Sequence, residues 1–166
     1  RGELRLQAFG VSVPTTGSDT GLLKTPAVKC RNGYVVNGQK VWTSRAAHSD
    51  LMLLLARTTP PDQVKRRTDG VSVFLIDMQE AKKKGMEIRP IDAMVNHNTT
   101  EVFFSDVFIP ASALIGQQGR GFNLVCLPDP ASQRDQHDSH EGQKSAAMAP
   151  QPWPASRLKR STSACI

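Results

Sequence analysis

The sequence FGVSVPTTGSDTGLLKTPAVKCRNGYVVNGQKVW, residues 9–42, carries the most informative motifs of the chain. Its first part, residues 10–20, combines hydroxyl side chains and two glycines with β-forming residues. Backbone amides can therefore face an oxygen-rich ligand without obstruction by side chains. Its last part leads into QKVWTS, residues 39–44, where an indole and two hydroxyls are consecutive. This order suits a flat heteroaromatic ring that needs stacking and hydrogen bonds, so the two parts together favour a flavin site.

Short apolar segments on either side of this stretch predict β-strands. The pairs Asn32-Gly33 and Asn37-Gly38 predict two-residue hairpin turns, because both residue types tolerate positive φ. The segment LMLLLAR, residues 51–57, predicts a central strand that is covered on both faces. Further strands are predicted at residues 4–11, 71–77, 86–91 and 101–109, and one helical turn at residues 79–84. Short strands separated by turn residues favour an all-β fold, a small barrel or sandwich.

Residues 123–166 differ in composition from the rest of the chain. They contain five prolines and only scattered aliphatic residues, with no apolar face at helical spacing. We therefore predict a β-domain over residues 1–122 and a disordered tail over residues 123–166. His137 and His140 in this tail are not assigned to a metal site. The glycine-rich segment at residues 116–121 is expected to be a flexible exit from the domain, since no helix is predicted after it.

Charge and cysteine content argue against several functions. The net charge is +6, but the basic residues are dispersed without interleaved aromatic residues, so nucleic-acid binding is not expected. The three cysteines have no metal-ligand spacing. They favour free thiols in a reducing compartment and leave the cytoplasm and the mitochondrial matrix open. No apolar run reaches the roughly 18 residues of a membrane helix, so no membrane span is expected.

Several separate motifs resemble, in order and spacing, the middle β-domain of the acyl-CoA dehydrogenases. The similarity covers residues 4–122 and rests on AFGVSVP (8–14), GSD (17–19), YVVNGQKVW (34–42), AR (56–57) and GQQGRGF (116–122). The resemblance implies a parent enzyme that oxidises a fatty acyl-CoA to the enoyl-CoA with FAD. A carboxylate removes the α-proton, and the flavin accepts a hydride from the β-carbon. The resemblance also implies an electron-transfer flavoprotein as electron acceptor and a homo-oligomer when the enzyme is full length.

Carried over position by position, the resemblance implies that two segments of this chain bind the cofactor. The implied FAD contacts are Phe9, Val11, Ser12, Trp42, Thr43 and Ser44. Ser18 would contact the acyl-CoA, and the Ser44 hydroxyl would lie near the hydride-accepting nitrogen. Val13 stands where the family usually has glutamate, so a carboxylate that braces the loop is expected to be missing. The family's catalytic glutamate belongs to a C-terminal helical domain that residues 123–166 do not resemble, so no catalytic residue is assigned.

Two alternatives stay open at this stage. The chain could be a non-catalytic remnant or binding module that keeps the β-fold without the cofactor. It could also belong to a related flavin enzyme on the same scaffold, such as an acyl-CoA oxidase. Bound flavin separates the first alternative from the main hypothesis, under which the chain alone is inactive and binds FAD weakly.

Overall fold

The computed structural model describes residues 4–15, 21, 23–94 and 98–125. Within these ranges the chain forms eight strands and two short α-helices. The strands are β1 (Leu6–Gly10), β2 (Ala27–Cys30), β3 (Gly33–Ser44), β4 (Leu51–Arg57), β5 (Val71–Asp77), β6 (Met86–Pro90), β7 (Thr99–Pro110) and β8 (Leu114–Ile115). The helices are α1 (Met78–Lys83) and α2 (Gly121–Val125). The predicted all-β class is confirmed.

The strands form two four-stranded sheets. The first sheet has the order β1-β4-β5-β8, and the second has the order β2-β3-β7-β6. β1 pairs with β4 in parallel, whereas the other strand pairs are antiparallel. The prediction of a central strand at residues 51–57 is confirmed, since β4 lies between β1 and β5.

Two apolar clusters occupy the two faces of β4. On one face, Met52 and Leu54 belong to the main core, which also contains side chains of the second sheet. On the other face, Leu53 and Leu55 pack with Val71 and Val73 of β5 and with three residues of the segment that joins β1 to β2. The alternation of side chains along a strand explains this division. The joining segment is thus fixed to the first sheet by its own apolar residues.

The predicted turn at Asn37-Gly38 is wrong, because both residues lie inside β3. β3 and β7 pair along their whole lengths, and the register shifts between Val36 and Gly38. At this shift Asn37 and Asp106 bind each other through Asn37 Nδ2 to Asp106 Oδ1 and Asp106 N to Asn37 Oδ1, both 2.9 Å. Gly38 has φ 129°, and Asp106 has φ 52°. The pair therefore marks a β-bulge, which increases the local twist without ending the strand.

The hairpin predicted at Asn32-Gly33 exists, but its turn lies one residue earlier. Cys30 pairs with Gly33, so Arg31 and Asn32 form the two-residue connection between β2 and β3. Neither residue has a positive φ. Glycine is required at position 33 for another reason, since a Cβ there would collide with the carbonyl oxygen of Ile109 in β7. Close packing of the strands, not turn geometry, selects this glycine.

The glycine-rich segment at residues 116–121 is attached to β5 and is followed by a helix, which corrects two expectations. Gly119 N donates to Ser72 Oγ at 2.8 Å, and Gly70 N donates to the Gly119 carbonyl at 2.9 Å. A Cβ at Gly121 would lie 2.7 Å from the backbone of Ser72 and Val73. The glycines therefore allow the chain to approach β5 closely rather than to exit freely. α2 includes the first three residues of the predicted tail, and residues 126–166 lie outside the described ranges.

Among the residues that the structure describes, no helix combines the length and the apolar character needed to span a bilayer.

Candidate functional site

The segment that follows β1 runs along β3. Lys40 Nζ donates to the Val11 carbonyl at 3.0 Å, and Val41 N donates to the Ser12 carbonyl at 3.0 Å. Because these contacts involve consecutive residues on both sides, they fix the direction of the loop backbone at Val11 and Ser12. We call residues 11–14 the first stem.

A cleft of about 410 Å³ opens between the first stem and β3. Its walls are formed by Ser12, Val13, Pro14, Val41, Trp42, Ile91 and Glu101. The cleft thus brings together Ser12 and Trp42, which the sequence placed in the two halves of one site. Ile91 and Glu101 were not expected there, since they are distant in sequence and neither belongs to a site motif.

Trp42 combines high exposure with an unusual backbone conformation. Its side chain is 64% exposed, and its φ is 58°. A left-handed conformation costs a residue other than glycine about 1–2 kcal/mol. The conformation arises at a second bulge, where the register between β3 and β7 shifts between Lys40 and Thr43. Strained and exposed aromatic residues that border a cleft are candidates for ligand contact.

Thr43, Ser44 and Phe9 do not line this cleft. Thr43 is 1% exposed, and its Oγ1 has no hydrogen-bond partner among the described residues. Ser44 is exposed at the end of β3, and Phe9 is 42% exposed on β1. Val11 is partly buried and packs against the second apolar cluster. Ser18, the expected acyl-CoA contact, lies outside the described residues.

The unpartnered Thr43 hydroxyl leads to a stability prediction. We expect Thr43→Val to raise the free energy of unfolding by about 1 kcal/mol, because valine has the same shape and removes a buried unsatisfied group. Urea unfolding measures this difference. The matched control is Thr100→Val, which should be destabilising because Thr100 Oγ1 donates to the Thr43 carbonyl at 2.8 Å. If Thr43→Val lost as much stability as the control, the Thr43 hydroxyl would have a hydrogen-bond partner after all.

Val13, which stands where the family usually has a glutamate, is held by apolar packing. The side chain is 5% exposed and packs in the second apolar cluster with Leu23, Leu55, Val71 and Val73. Apolar packing at Val13 and the hydrogen bonds of the first stem therefore hold the loop, although the carboxylate that the family usually has at this position is absent.

Lys40 is buried beneath the first stem. It is 0% exposed, and none of the described carboxylates forms an ion pair with it. Burial lowers the pKa of the Lys40 amine well below its usual value. The sequence analysis did not predict its hydrogen bond to the Val11 carbonyl. A signal existed, since counting every second residue from the core residues Tyr34 and Val36 places Lys40 on the inward face.

Arg57, at the end of β4, binds four backbone carbonyls. Its guanidinium donates to Leu23 O at 2.9 Å, Gly21 O at 2.8 Å, Asp69 O at 3.1 Å and Arg67 O at 2.9 Å. The residue is 2% exposed, and burial lowers the pKa of the guanidinium. Arg57 thus connects the segment before β2 with the segment before β5.

Glu101 places a carboxylate in the wall of the cleft. It is opposite Arg89 in the register of β6 and β7. The pKa of Arg89 is raised chiefly by its hydrogen bond to Glu87, with a smaller contribution from the charge of Glu101. The Arg89 guanidinium also lies 4.6 Å from the centre of the Phe103 ring. A neighbouring cation thus offsets the negative charge of Glu101.

The protein-family model "Acyl-CoA dehydrogenase, middle domain" matches residues 8–107. Among curated relatives, acyl-CoA dehydrogenase FadE26 of Mycobacterium tuberculosis is 33% identical over 118 residues, which cover 71% of this chain and 29% of the relative. FadE34 of the same organism is 40% identical over 127 residues, covering 75% of this chain and 17% of the relative. This chain therefore spans less than a third of the length of these relatives.

Solved structures agree with the sequence relatives. The crystal structure of the ChsE4-ChsE5 complex from Mycobacterium tuberculosis matches with a TM-score of 0.66 and 32% identity, covering 80% of this chain and 31% of that chain. The family model, the sequence relatives and the solved structure lead to one conclusion. The chain belongs to the acyl-CoA dehydrogenase family, of which it matches the middle domain.

Proposed function

We propose that this chain forms the flavin wall of an FAD-dependent enzyme that converts a fatty acyl-CoA to the enoyl-CoA. The family uses a flavin, and the observation that most supports FAD at this site is the cleft lined by both Ser12 and Trp42. Its walls include an indole, a hydroxyl and apolar side chains. That combination fits an isoalloxazine ring, which has a flat apolar body and a polar edge.

The residues of the chain have distinct roles in this proposal. The backbone N–H groups of Val11 and Ser12 and the Ser12 hydroxyl donate hydrogen bonds to the pyrimidine edge. There they stabilise negative charge on the flavin. The Trp42 indole covers the ring and excludes water from one face. Ser44, exposed at the end of β3 two residues after the indole, is proposed as a further donor, whereas the buried Thr43 hydroxyl is given no such role. FAD, when bound, accepts the hydride from the substrate.

The remaining functions depend on parts of the enzyme beyond the matched domain. We assign the catalytic base to none of the described residues. Glu101 is the carboxylate in the wall of the cleft, but the family resemblance gives it no such role. Ser18 is proposed to contact the acyl-CoA. The proposed electron acceptor is an electron-transfer flavoprotein, and the proposed full-length assembly is a homo-oligomer.

A titration of the purified chain with FAD, followed by flavin fluorescence, tests the proposal. We expect saturable binding weaker than about 1 μM, since one wall of a site gives fewer contacts than a complete one. Trp42→Ala should weaken binding about tenfold through lost stacking. Binding that is absent in the unmodified chain would favour the non-catalytic binding module. Submicromolar binding would contradict a site that has only one wall in this chain. Binding that is unchanged in Trp42→Ala would contradict stacking of Trp42 on the flavin.

A further inference from the structure

Lys40 is a buried amine that the proposed chemistry does not use. Its side chain passes Gly10, where an added Cβ would lie 3.5 Å from Lys40 Cγ. Its amine then reaches the Val11 carbonyl at 3.0 Å. No ion pair with a described carboxylate compensates the burial. An apolar side chain of similar length would fill this space without the desolvation cost of an amine.

Lys40 is the first of three consecutive residues of β3 that hold the first stem or border the cleft. Lys40 holds the carbonyl of Val11, and its neighbour Val41 holds the carbonyl of Ser12 at 3.0 Å. The next residue is Trp42, whose indole borders the cleft. Three consecutive residues of β3 therefore determine where the first stem lies relative to the indole. The two stem residues are those proposed to face the pyrimidine edge of the flavin.

We propose that Lys40 is a positioning residue whose amine orients the first stem toward the flavin, at the expense of the stability of the free domain. The inference rests on the proposed function for its ligand but on the described contacts for its geometry. A lysine that served stability alone would have a carboxylate partner or would be replaceable only with loss of stability. A positioning lysine can instead be destabilising, because function often retains buried polar groups that an apolar core would not need.

The test substitutes Lys40→Met, which keeps the aliphatic chain and removes the donor. The matched control is Lys29→Met, the same change at an exposed position of β2. We expect Lys40→Met to have a melting temperature equal to or above that of the unmodified chain. At a temperature where all chains are folded, its affinity for FAD should be about tenfold lower, corresponding to the loss of one well-placed hydrogen bond. The control should change neither property.

A second measurement reports on the stem without the cofactor. The Val41 amide donates to the Ser12 carbonyl, so its hydrogen exchange increases if the stem opens. We expect faster exchange at Val41 in Lys40→Met, with unchanged exchange in β4 and β5. If the unmodified chain does not bind FAD, the proposed function fails, but this measurement still decides the role of Lys40.

Three results would overturn the inference. The first is unchanged exchange at Val41. The second is a folded Lys40→Met chain with unchanged FAD affinity. The third is a Lys40→Met chain that melts well below the unmodified chain or does not fold, since the lysine would then support the domain as a whole rather than the loop.

Discussion

Arg57→Met is expected to lower the free energy of unfolding by about 3–5 kcal/mol, because it leaves buried carbonyls without donors. The guanidinium binds carbonyls of Gly21, Leu23, Arg67 and Asp69, and so joins two segments that have little regular structure of their own. Arg57→Lys should give an intermediate loss, since an ammonium cannot reproduce the planar fork of donors. Urea unfolding of the three chains provides the comparison.

Arg31→Met is the matched control for this series. Arg31 is exposed in the turn between β2 and β3, so the same chemical change should alter stability by less than about 0.5 kcal/mol. If Arg57→Met lost no more stability than the control, the four hydrogen bonds would not contribute as described. Solvent would then satisfy these carbonyls when the guanidinium is removed.

Phe74→Ala is expected to cost about 3–5 kcal/mol, the range for removing a fully buried aromatic side chain. Phe74 in β5 is 0% exposed and meets Tyr34 of β3 edge to face, with ring centres 4.9 Å apart. This contact joins the first sheet to the second. The cost includes the cavity that remains between the sheets, because the surrounding strands can relax only partly.

Phe74→Leu distinguishes loss of volume from loss of the aromatic contact. Leucine fills most of the space, so a loss of about 1–2 kcal/mol is expected, and thermal unfolding should show a single transition for each chain. A Phe74→Ala chain as stable as Phe74→Leu would contradict a core shared by the two sheets. Two separate transitions would show that the sheets unfold independently.

The strands could be predicted from sequence because their apolar residues follow simple patterns. The run at residues 51–57 is apolar at nearly every position, and β4 is buried on both faces as that pattern predicts. The turn predicted at Asn37-Gly38 failed because the same residues that favour turns also favour bulges. Only the partner strand decides between the two outcomes, and β7 is long enough to pair with both halves of β3.

The buried basic residues Lys40 and Arg57 could not be predicted from sequence patterns. Lys40 and Arg57 belong to motifs of the family resemblance but were given no role, because lysine and arginine are mostly exposed and their partners here are backbone carbonyls. Arg57 binds carbonyls up to 36 residues away in sequence. Carbonyl groups carry no sequence signal, so the position of such a cation is visible only once the loops are folded. The inward register of Lys40 was the one clue available in the sequence.

The cleft itself was only half visible in the sequence. Ser12 and Trp42 were assigned to one site through the family resemblance, and the structure brings them to the same cleft. Ile91 and Glu101 complete its walls through the pairing of β6 and β7, which no local motif predicts. Residues that enter a site through strand register are found from topology, not from spacing along the chain.

If the Trp42 indole covers a bound flavin, the emission of Trp42 should change when the flavin binds. The chain has two tryptophans, so Trp153→Phe leaves Trp42 as the sole emitter. Titration with FAD should decrease the emission intensity of Trp42 with the same concentration dependence as the change in flavin fluorescence, because an indole stacked on an isoalloxazine ring is quenched. Flavin binding that leaves the Trp42 emission intensity unchanged would show that the indole does not cover the flavin.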